Sequence, residues 1–101
     1  MSRATEFIKY ALSIEAFEFN PEGRKLKSGR MSPYFFNSGK FKTGESISKL
    51  ASSYVNKIYN GIFPDVIFGP SYKGSAIAVA VAINIGGEVG FAYNRKEAKS
   101  H

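Results

Sequence analysis

The chain has 101 residues, which is enough for one small domain. It contains no cysteine, which excludes disulfides and thiolate metal sites and agrees with a reducing compartment such as the cytoplasm. Fourteen lysines and arginines against eight acidic residues give a formal charge of +6. This charge favours an anionic partner, either a nucleic acid or a phosphorylated small molecule, although a solvated basic surface is by itself the commoner explanation. The longest apolar run, residues 76–83, is far shorter than the roughly 20 residues that span a bilayer, so we predict no membrane segment.

The first 42 residues predict one helix followed by short strands. Four apolar side chains at helical spacing predict a helix from Thr5 to Phe17 that packs through one face. These four residues are Phe7, Ile8, Ala11 and Leu12. Residues 17–39 contain two prolines, three glycines and alternating aromatic residues, which predicts strands and turns.

The next segment predicts a second helix, from Glu45 to Tyr59. Its apolar residues follow the i, i+3, i+4 pattern. They are Ile47, Leu50, Ala51, Tyr54, Val55 and Ile58. Thr43 is the predicted N-cap, and Glu45 suits the positive first turn. Asn60-Gly61 followed by Pro64 is a typical stop signal.

Residues 65–94 predict a β-α-β unit. "DVIFGP" is apolar without alternation and predicts a short buried strand. "KGSAIAVAVAINIGG" predicts a buried helix that ends at Gly86-Gly87, and "EVGFAYN" predicts a second strand, parallel to the first. Open α/β sheets bind ligands beyond the carboxyl ends of their strands. We therefore expect "GPSYKG" and "NRKEAKSH" to face each other across one crevice.

The loop "FGPSYKGSA" joins the first of these strands to the helix. A helix start favours an anion, Gly69 and Gly74 would let the backbone approach a ligand, and Lys73 adds positive charge. The loop matches neither the P-loop nor the dinucleotide-binding pattern. An ordinary strand-to-helix turn with a solvated lysine is the commoner explanation of such a pattern.

A second cluster lies in "LKSGRMSPYFFNSG". Lys27 and Arg30 flank Gly29, and the adjacent Phe35 and Phe36 would point to opposite faces of a strand. One of the two rings could stack on a planar ligand while the other packs in the core. Composition alone favours a core position for both.

The closing stretch "NRKEAKSH" combines Arg95, Lys96 and Lys99 with Glu97 and the single histidine, His101. Its spacing suits either a helix or a mobile loop. A mobile cationic loop suits a pyrophosphate leaving group, and His101 could donate a hydrogen bond to an oxyanion or act as a general acid. A solvated chain end is the plain alternative. The scattered acids predict no metal-ligand cluster, so a divalent ion would bind through the phosphates of a ligand.

Taken in order, these stretches resemble the N-terminal half of an orotate phosphoribosyltransferase. The resemblance covers nearly the whole chain and is most specific in "LKSGR-x-SPYF-x-N", "FGP-x-YKG" and "NRKEAK-x-H". It implies an α/β fold of the type I phosphoribosyltransferase kind, a parallel sheet with flanking helices and a small N-terminal hood. On that basis residues 1–42 form the first helix and the hood strands, residues 43–94 form the core, and residues 95–101 begin a mobile catalytic loop.

The resemblance also implies a function. The family transfers the 5-phosphoribosyl group from phosphoribosyl pyrophosphate to orotate, giving orotidine 5′-monophosphate and pyrophosphate in the synthesis of UMP. Mg²⁺ accompanies the pyrophosphate donor, and the enzymes are cytoplasmic homodimers whose mobile loops reach into the partner's active site. The family's 5-phosphate loop has no match here, which implies that the chain is part of a longer enzyme and does not turn over alone.

The resemblance assigns roles to residues that match the family's motifs. Lys27 would contact phosphoribosyl pyrophosphate and orotate, and Phe35 and Phe36 would hold the orotate ring. The peptide between Ser71 and Tyr72 is often cis in this family. The remaining contacts to phosphoribosyl pyrophosphate would be Tyr72, Lys73, Arg95, Lys96, Lys99 and His101, of which Lys96, Lys99 and His101 would be catalytic.

Two alternatives remain open from the sequence. The net charge and the aromatic run Tyr34, Phe35 and Phe36 are compatible with an RNA-binding module that has no catalytic activity. A phosphoribosyltransferase for another base is the second alternative. The resemblance itself predicts neither nucleic acid nor membrane among the partners.

Overall fold

The structure is a computed structural model that describes residues 2–59, 61 and 63–98. The chain forms two compact units, residues 1–42 (the N-terminal unit) and residues 43–101 (the C-terminal unit). The N-terminal unit consists of α1 (Arg3–Ser13), β1 (Phe17–Lys25), β2 (Met31–Phe36) and a 3-10 turn (Ser38–Lys40). The C-terminal unit consists of α2 (Gly44–Ile58), β3 (Val66–Phe68), α3 (Lys73–Ile85) and β4 (Gly90–Ala92).

Helix α1 is present but ends earlier than predicted. The Ser2 hydroxyl caps its start by accepting a hydrogen bond from the Thr5 amide at 3.1 Å. The prediction that the helix reaches Phe17 is wrong, because Glu15 has a φ of 62°, in the left-handed region that no α-helix continues through. The Ala16 amide donates to the Ala11 carbonyl at 2.8 Å, and Phe17 then begins β1.

The buried face of α1 also differs from the predicted one. Ala11 is buried and the Phe7 ring stacks on the buried Phe41 ring, with 5.8 Å between centroids. Ile8 and Leu12, which we predicted on the same face, are about half exposed. The reason is that Phe41 contacts the rings of Phe7 and Tyr10. The face of α1 that Phe41 covers therefore lies to one side of Ile8 and Leu12.

Strands β1 and β2 form an antiparallel hairpin, which confirms the predicted strands and turns. Phe17 pairs with Phe36 and Phe19 with Tyr34, and the register is interrupted between Phe19 and Arg24. The connection is a turn in which the Leu26 amide donates to the Arg30 carbonyl at 2.9 Å. Lys27 and Gly29 lie in this turn, and Gly29 has a φ of 88° that favours glycine.

Helix α2 confirms the predicted N-cap. The Thr43 hydroxyl accepts from the Ser46 amide at 3.1 Å, and the Thr43 amide donates to the Ser46 hydroxyl at 3.0 Å, which forms a capping box. The apolar stripe buries Leu50, Ala51 and Val55, while Tyr54 from the predicted stripe is about half exposed. Of the predicted stop signal, Asn60 lies outside the described residues.

Strands β3 and β4 pair in parallel and are connected by α3, which confirms the β-α-β unit. Ala51 and Val55 of α2 and Val81 of α3 form the core of the C-terminal unit, and Ile67 of β3 packs against them. The prediction that β3 is buried is wrong, since Val66 is 55% and Phe68 is 60% exposed. Ile67 faces the helices, and neighbouring residues of a strand point to the opposite face.

Helix α3 has the predicted extent and ends at Gly86, whose φ is 80°. It is less buried than its composition predicts, because only one side faces the core. Ala78, Val81 and Ala82 are buried, whereas Ile83 is 74% exposed.

None of the helices formed by the described residues is long and apolar enough to cross a membrane.

Candidate functional site

The loops that follow β3 and β4 meet, as the parallel topology predicts. The Gly69 amide donates to the Ala92 carbonyl at 2.9 Å and extends the strand pairing by one residue. The Ser71 amide donates to Asn94 Oδ1 at 2.8 Å, and the Ser71 hydroxyl donates to the Asn94 carbonyl. These bonds join residues 23 positions apart and hold "GPSYKG" against the start of "NRKEAKSH".

A cavity of about 500 Å³ lies where the two loops meet. It brings together three of the predicted site residues, Tyr72, Arg95 and Lys96. The complete lining is Ser71, Tyr72, Ser75, Tyr93, Asn94, Arg95, Lys96 and Glu97. Lys73 is exposed and begins α3 directly after Tyr72, beside the lining but outside it. The Ser71–Tyr72 peptide is cis, as expected from the resemblance.

Tyr72 is the centre of the polar contacts in this cavity. Its hydroxyl donates a hydrogen bond to the Glu97 carboxylate. The Lys96 ammonium lies 5.4 Å from the centroid of its ring, within the roughly 6 Å over which a cation and an aromatic face attract. The hydrogen bond to Glu97, aided by slight desolvation, raises the pKa of Tyr72 above its ordinary value of 10.0. Tyr72 is therefore a neutral hydrogen-bond donor at physiological pH.

The contact between Glu97 and Tyr72 was not predicted from the sequence. The two residues are 25 positions apart, and Glu97 was noted only as an acid among the cations. The parallel β-α-β topology was the one signal that pointed to it, since that topology places both loops at one edge of the sheet. The topology does not define which side chains meet.

The described part of the closing stretch is irregular rather than helical. Residues 95–98 contain a bend and no helical turn, so of the two alternatives for this spacing the loop is the one observed. Lys99 and His101 lie outside the described residues, and their assignments stay predictions.

Gly69 and Gly74 have a structural role that the sequence analysis did not predict. A Cβ atom on Gly69 would lie 1.9 Å from the Gly74 carbonyl oxygen, and one on Gly74 would lie 2.9 Å from Pro70 Cδ. The two glycines therefore let the end of β3 approach the start of α3. This close approach positions residues 70–73 between them. The expected role of the two glycines in the approach of the backbone to a ligand stays a prediction.

The predicted orotate residues lie in the N-terminal unit, Phe35 and Phe36 on β2 and Lys27 in the hairpin turn. Phe35 and Phe36 have different neighbours, as expected for adjacent residues of a strand. The Phe36 ring lies 5.7 Å from the Phe41 ring, and the Arg24 guanidinium lies 3.9 Å from the centre of the Phe35 ring. Lys27 is exposed in the hairpin turn.

Arg24 is a second residue that the sequence analysis missed. Its guanidinium forms an ion pair with Glu18 at 3.0 Å while it covers the Phe35 ring. Glu18 lies opposite Phe35 in the strand register, so the pairing of β1 with β2 brings all three residues together. The interruption after Phe19 made this register difficult to read from the sequence.

The donors that Mg²⁺ prefers do not cluster here. Among the described residues, no group of three or more histidine, aspartate or glutamate side chains could hold a metal ion. The described residues therefore do not fit a protein-bound Mg²⁺ site.

Comparison with known proteins gives a consistent result. No family model matches the chain. It is 46% identical over 105 residues to the orotate phosphoribosyltransferase of Bordetella avium, covering 97% of this chain and 47% of that protein. It is 45% identical over 105 residues to the orotate phosphoribosyltransferase of Nitrosococcus oceani, covering 99% of this chain and 47% of that protein. The chain thus spans about half the length of the curated relatives that it matches.

Solved structures agree with the sequence comparison. The crystal structure of orotate phosphoribosyltransferase from Francisella tularensis superposes with a TM-score of 0.74 at 38% identity, covering 90% of this chain and 46% of that one. The UMP synthase of Leishmania donovani superposes with a TM-score of 0.75 at 26% identity, covering 96% of this chain and 21% of that one. The resemblance predicted from the motifs is confirmed: in sequence and in its type I phosphoribosyltransferase fold, this chain is similar to about half of an orotate phosphoribosyltransferase.

Proposed function

We propose that the chain is part of an orotate phosphoribosyltransferase. The whole enzyme would transfer the 5-phosphoribosyl group from phosphoribosyl pyrophosphate to orotate, and so take part in the synthesis of UMP in the cytoplasm. The proposal rests on one observation: residues 71–72 of "FGPSYKG" and residues 94–97 of "NRKE" line a single cavity at the carboxyl ends of β3 and β4. Ligands of open α/β sheets bind at this edge.

The chemistry requires positioning and charge neutralisation more than a nucleophile. Breaking the bond between C1 of the ribose and the pyrophosphate oxygen leaves an oxocarbenium-like sugar and an anionic leaving group. Arg95 and Lys96 would neutralise the pyrophosphate, and the protonated Tyr72 hydroxyl would donate a hydrogen bond to it. Lys73, which directly follows Tyr72 in the chain, is proposed as a fourth contact. Lys99 and His101 would complete the set as catalytic residues of the loop.

The base would be held by the N-terminal unit. Phe35 and Phe36 are proposed to hold the orotate ring, and Lys27 is proposed to contact both substrates. Mg²⁺ would enter with the pyrophosphate donor, as part of that substrate. A homodimer that exchanges its loops would complete the site.

The direct test uses the full-length protein that contains this chain. Orotate absorbance should fall only when phosphoribosyl pyrophosphate and Mg²⁺ are both present. Lys96→Ala should lower kcat/KM on the order of 100-fold, because it removes a charge opposite the leaving group. Lys57→Ala, at an exposed position in the last turn of α2, is the matched control and should leave kcat/KM nearly unchanged.

The orotate assay, repeated with other bases, and a salt titration of RNA binding separate the alternatives. Consumption of a different base, with orotate untouched, would identify another phosphoribosyltransferase. RNA binding with a steep salt dependence, and no consumption of orotate, would favour the nucleic-acid-binding module. Either result would contradict the proposal.

A further inference from the structure

Glu97 is an unexpected residue in a cavity expected to bind an anion. Among the described residues that line this cavity it is the only acid, beside the cations Arg95 and Lys96. Its carboxylate accepts the hydrogen bond that the Tyr72 hydroxyl donates. The Glu97 carboxylate thus accepts the hydrogen bond that, in the proposed function, the Tyr72 hydroxyl donates to a phosphate oxygen.

A tyrosine hydroxyl has one proton to donate. While Tyr72 donates this hydrogen bond to Glu97, it has none to donate to a phosphate oxygen. The negative charge of Glu97 also opposes the approach of a polyanion to Lys96, whose ammonium lies 5.4 Å from the Tyr72 ring centroid. Pyrophosphate and the Glu97 carboxylate therefore compete for the same group.

We infer that Glu97 is a positioning residue: it holds Tyr72 and the start of the loop in the ligand-free protein, and a pyrophosphate group must displace it in order to bind. This inference rests on the proposed function, since it assigns pyrophosphate to the cavity. In the bound state the loop residue is released from Tyr72, and after reaction its return to Tyr72 favours release of pyrophosphate. Glu97 would thus weaken pyrophosphate binding in exchange for faster product release.

The test is the binding of inorganic pyrophosphate, with Mg²⁺ present, to the full-length protein, measured by calorimetry. Glu97→Gln keeps the shape of the side chain and removes its charge. It should lower the Kd of pyrophosphate about two- to five-fold, the range expected for one exposed charge interaction. Product inhibition by pyrophosphate should strengthen by a similar factor. In a Tyr72→Phe background the same substitution should change the Kd of pyrophosphate less, because the hydroxyl for which Glu97 and pyrophosphate compete is absent.

Glu88→Gln is the matched control. It removes the same charge from the same unit, but Glu88 precedes β4 and lines a different cavity at the opposite end of the strand. Its Kd for pyrophosphate should equal that of the wild type. An unchanged or weaker affinity in Glu97→Gln would overturn the inference and leave the proposed function intact. A wild-type protein that binds no pyrophosphate would overturn both.

A second measurement examines the contact without any ligand. The hydrogen bond to Glu97 stabilises the protonated form of Tyr72 and so raises its pKa. The titration of Tyr72, obtained as the absorbance difference between the protein and its Tyr72→Phe variant, should shift to lower pH in Glu97→Gln. A titration that does not move would show that Glu97 is not bonded to Tyr72, and the inference would fail.

Discussion

Gly69→Ala tests the close packing that positions the candidate site. The new Cβ atom would lie 1.9 Å from the carbonyl oxygen of Gly74, 2.5 Å from its carbonyl carbon and 2.7 Å from Ala78 Cβ. Real Cβ contacts stay at 3.0 Å or beyond, so the end of β3 and the start of α3 would have to separate by roughly 1 Å. The nearest atoms belong to the backbone, and no flexible side chain can move aside.

The cost of this separation follows from the position of α3. Forcing one extra carbon into a well-packed site typically costs about 1–3 kcal/mol. The upper part of that range is expected here, because α3 also packs on the core through the buried Val81 and cannot shift freely. The shift would move Ser71 away from Asn94 and disturb the cavity, so activity should fall together with stability.

Urea denaturation of the full-length protein, followed by circular dichroism, measures the loss of stability. Gly44→Ala is the matched control. A Cβ atom there has no neighbour within 4 Å and the φ of Gly44 is not in the left-handed region, so alanine should be neutral or stabilise by up to about 1 kcal/mol. If Gly69→Ala unfolds at the same urea concentration as the wild type, the argument that the two glycines hold β3 against α3 is wrong.

Two further predictions concern a helix cap and the candidate base site. Thr43→Ala removes one half of the capping box and leaves the Ser46 amide without its acceptor, so the free energy of unfolding should fall by about 1 kcal/mol, whereas Thr43→Ser should keep most of the cap. An unchanged urea midpoint would show that the cap adds nothing. Arg24→Ala removes the cation 3.9 Å from the Phe35 ring and the ion pair with Glu18, and if Phe35 holds orotate, KM for orotate should rise about two- to five-fold with little change in kcat. Steady-state kinetics with varied orotate would measure this KM. An unaltered KM for orotate would exclude a positioning role for Arg24.

Local sequence signals predicted most of the secondary structure. The Thr43 cap and the apolar stripe of α2 predicted that helix, and Gly86 predicted the end of α3, because capping and periodicity depend on residues within a few positions of each other. Topology followed from these elements, since a β-α-β unit places two strands in parallel and their following loops at one edge. The meeting of Ser71 with Asn94 is the observed result of that rule.

The end of α1, its covered face and the contacts between distant residues could not be predicted from the sequence. The helix ends before the left-handed Glu15, and the face that packs on Phe41 leaves Ile8 about half exposed. The local sequence pattern was equally compatible with a longer helix and with a buried Ile8. Phe68 is exposed because it points to the face of the sheet that the helices do not cover. A run of apolar residues in the sequence does not show which face will be covered. The same holds for the candidate base site, where only the strand register brought Arg24 onto Phe35.

The family resemblance, the elements of the core and the edge of the sheet where the motifs gather can all be read from the residues in chain order. How the side chains at that edge are paired depends on the tertiary packing. Glu97 reaches Tyr72 because the two loops meet at the end of the sheet, and Gly69 faces Gly74 because the end of β3 packs closely against the start of α3. Such contacts depend on distances between parts of the chain that are remote in sequence, and local propensities do not fix those distances.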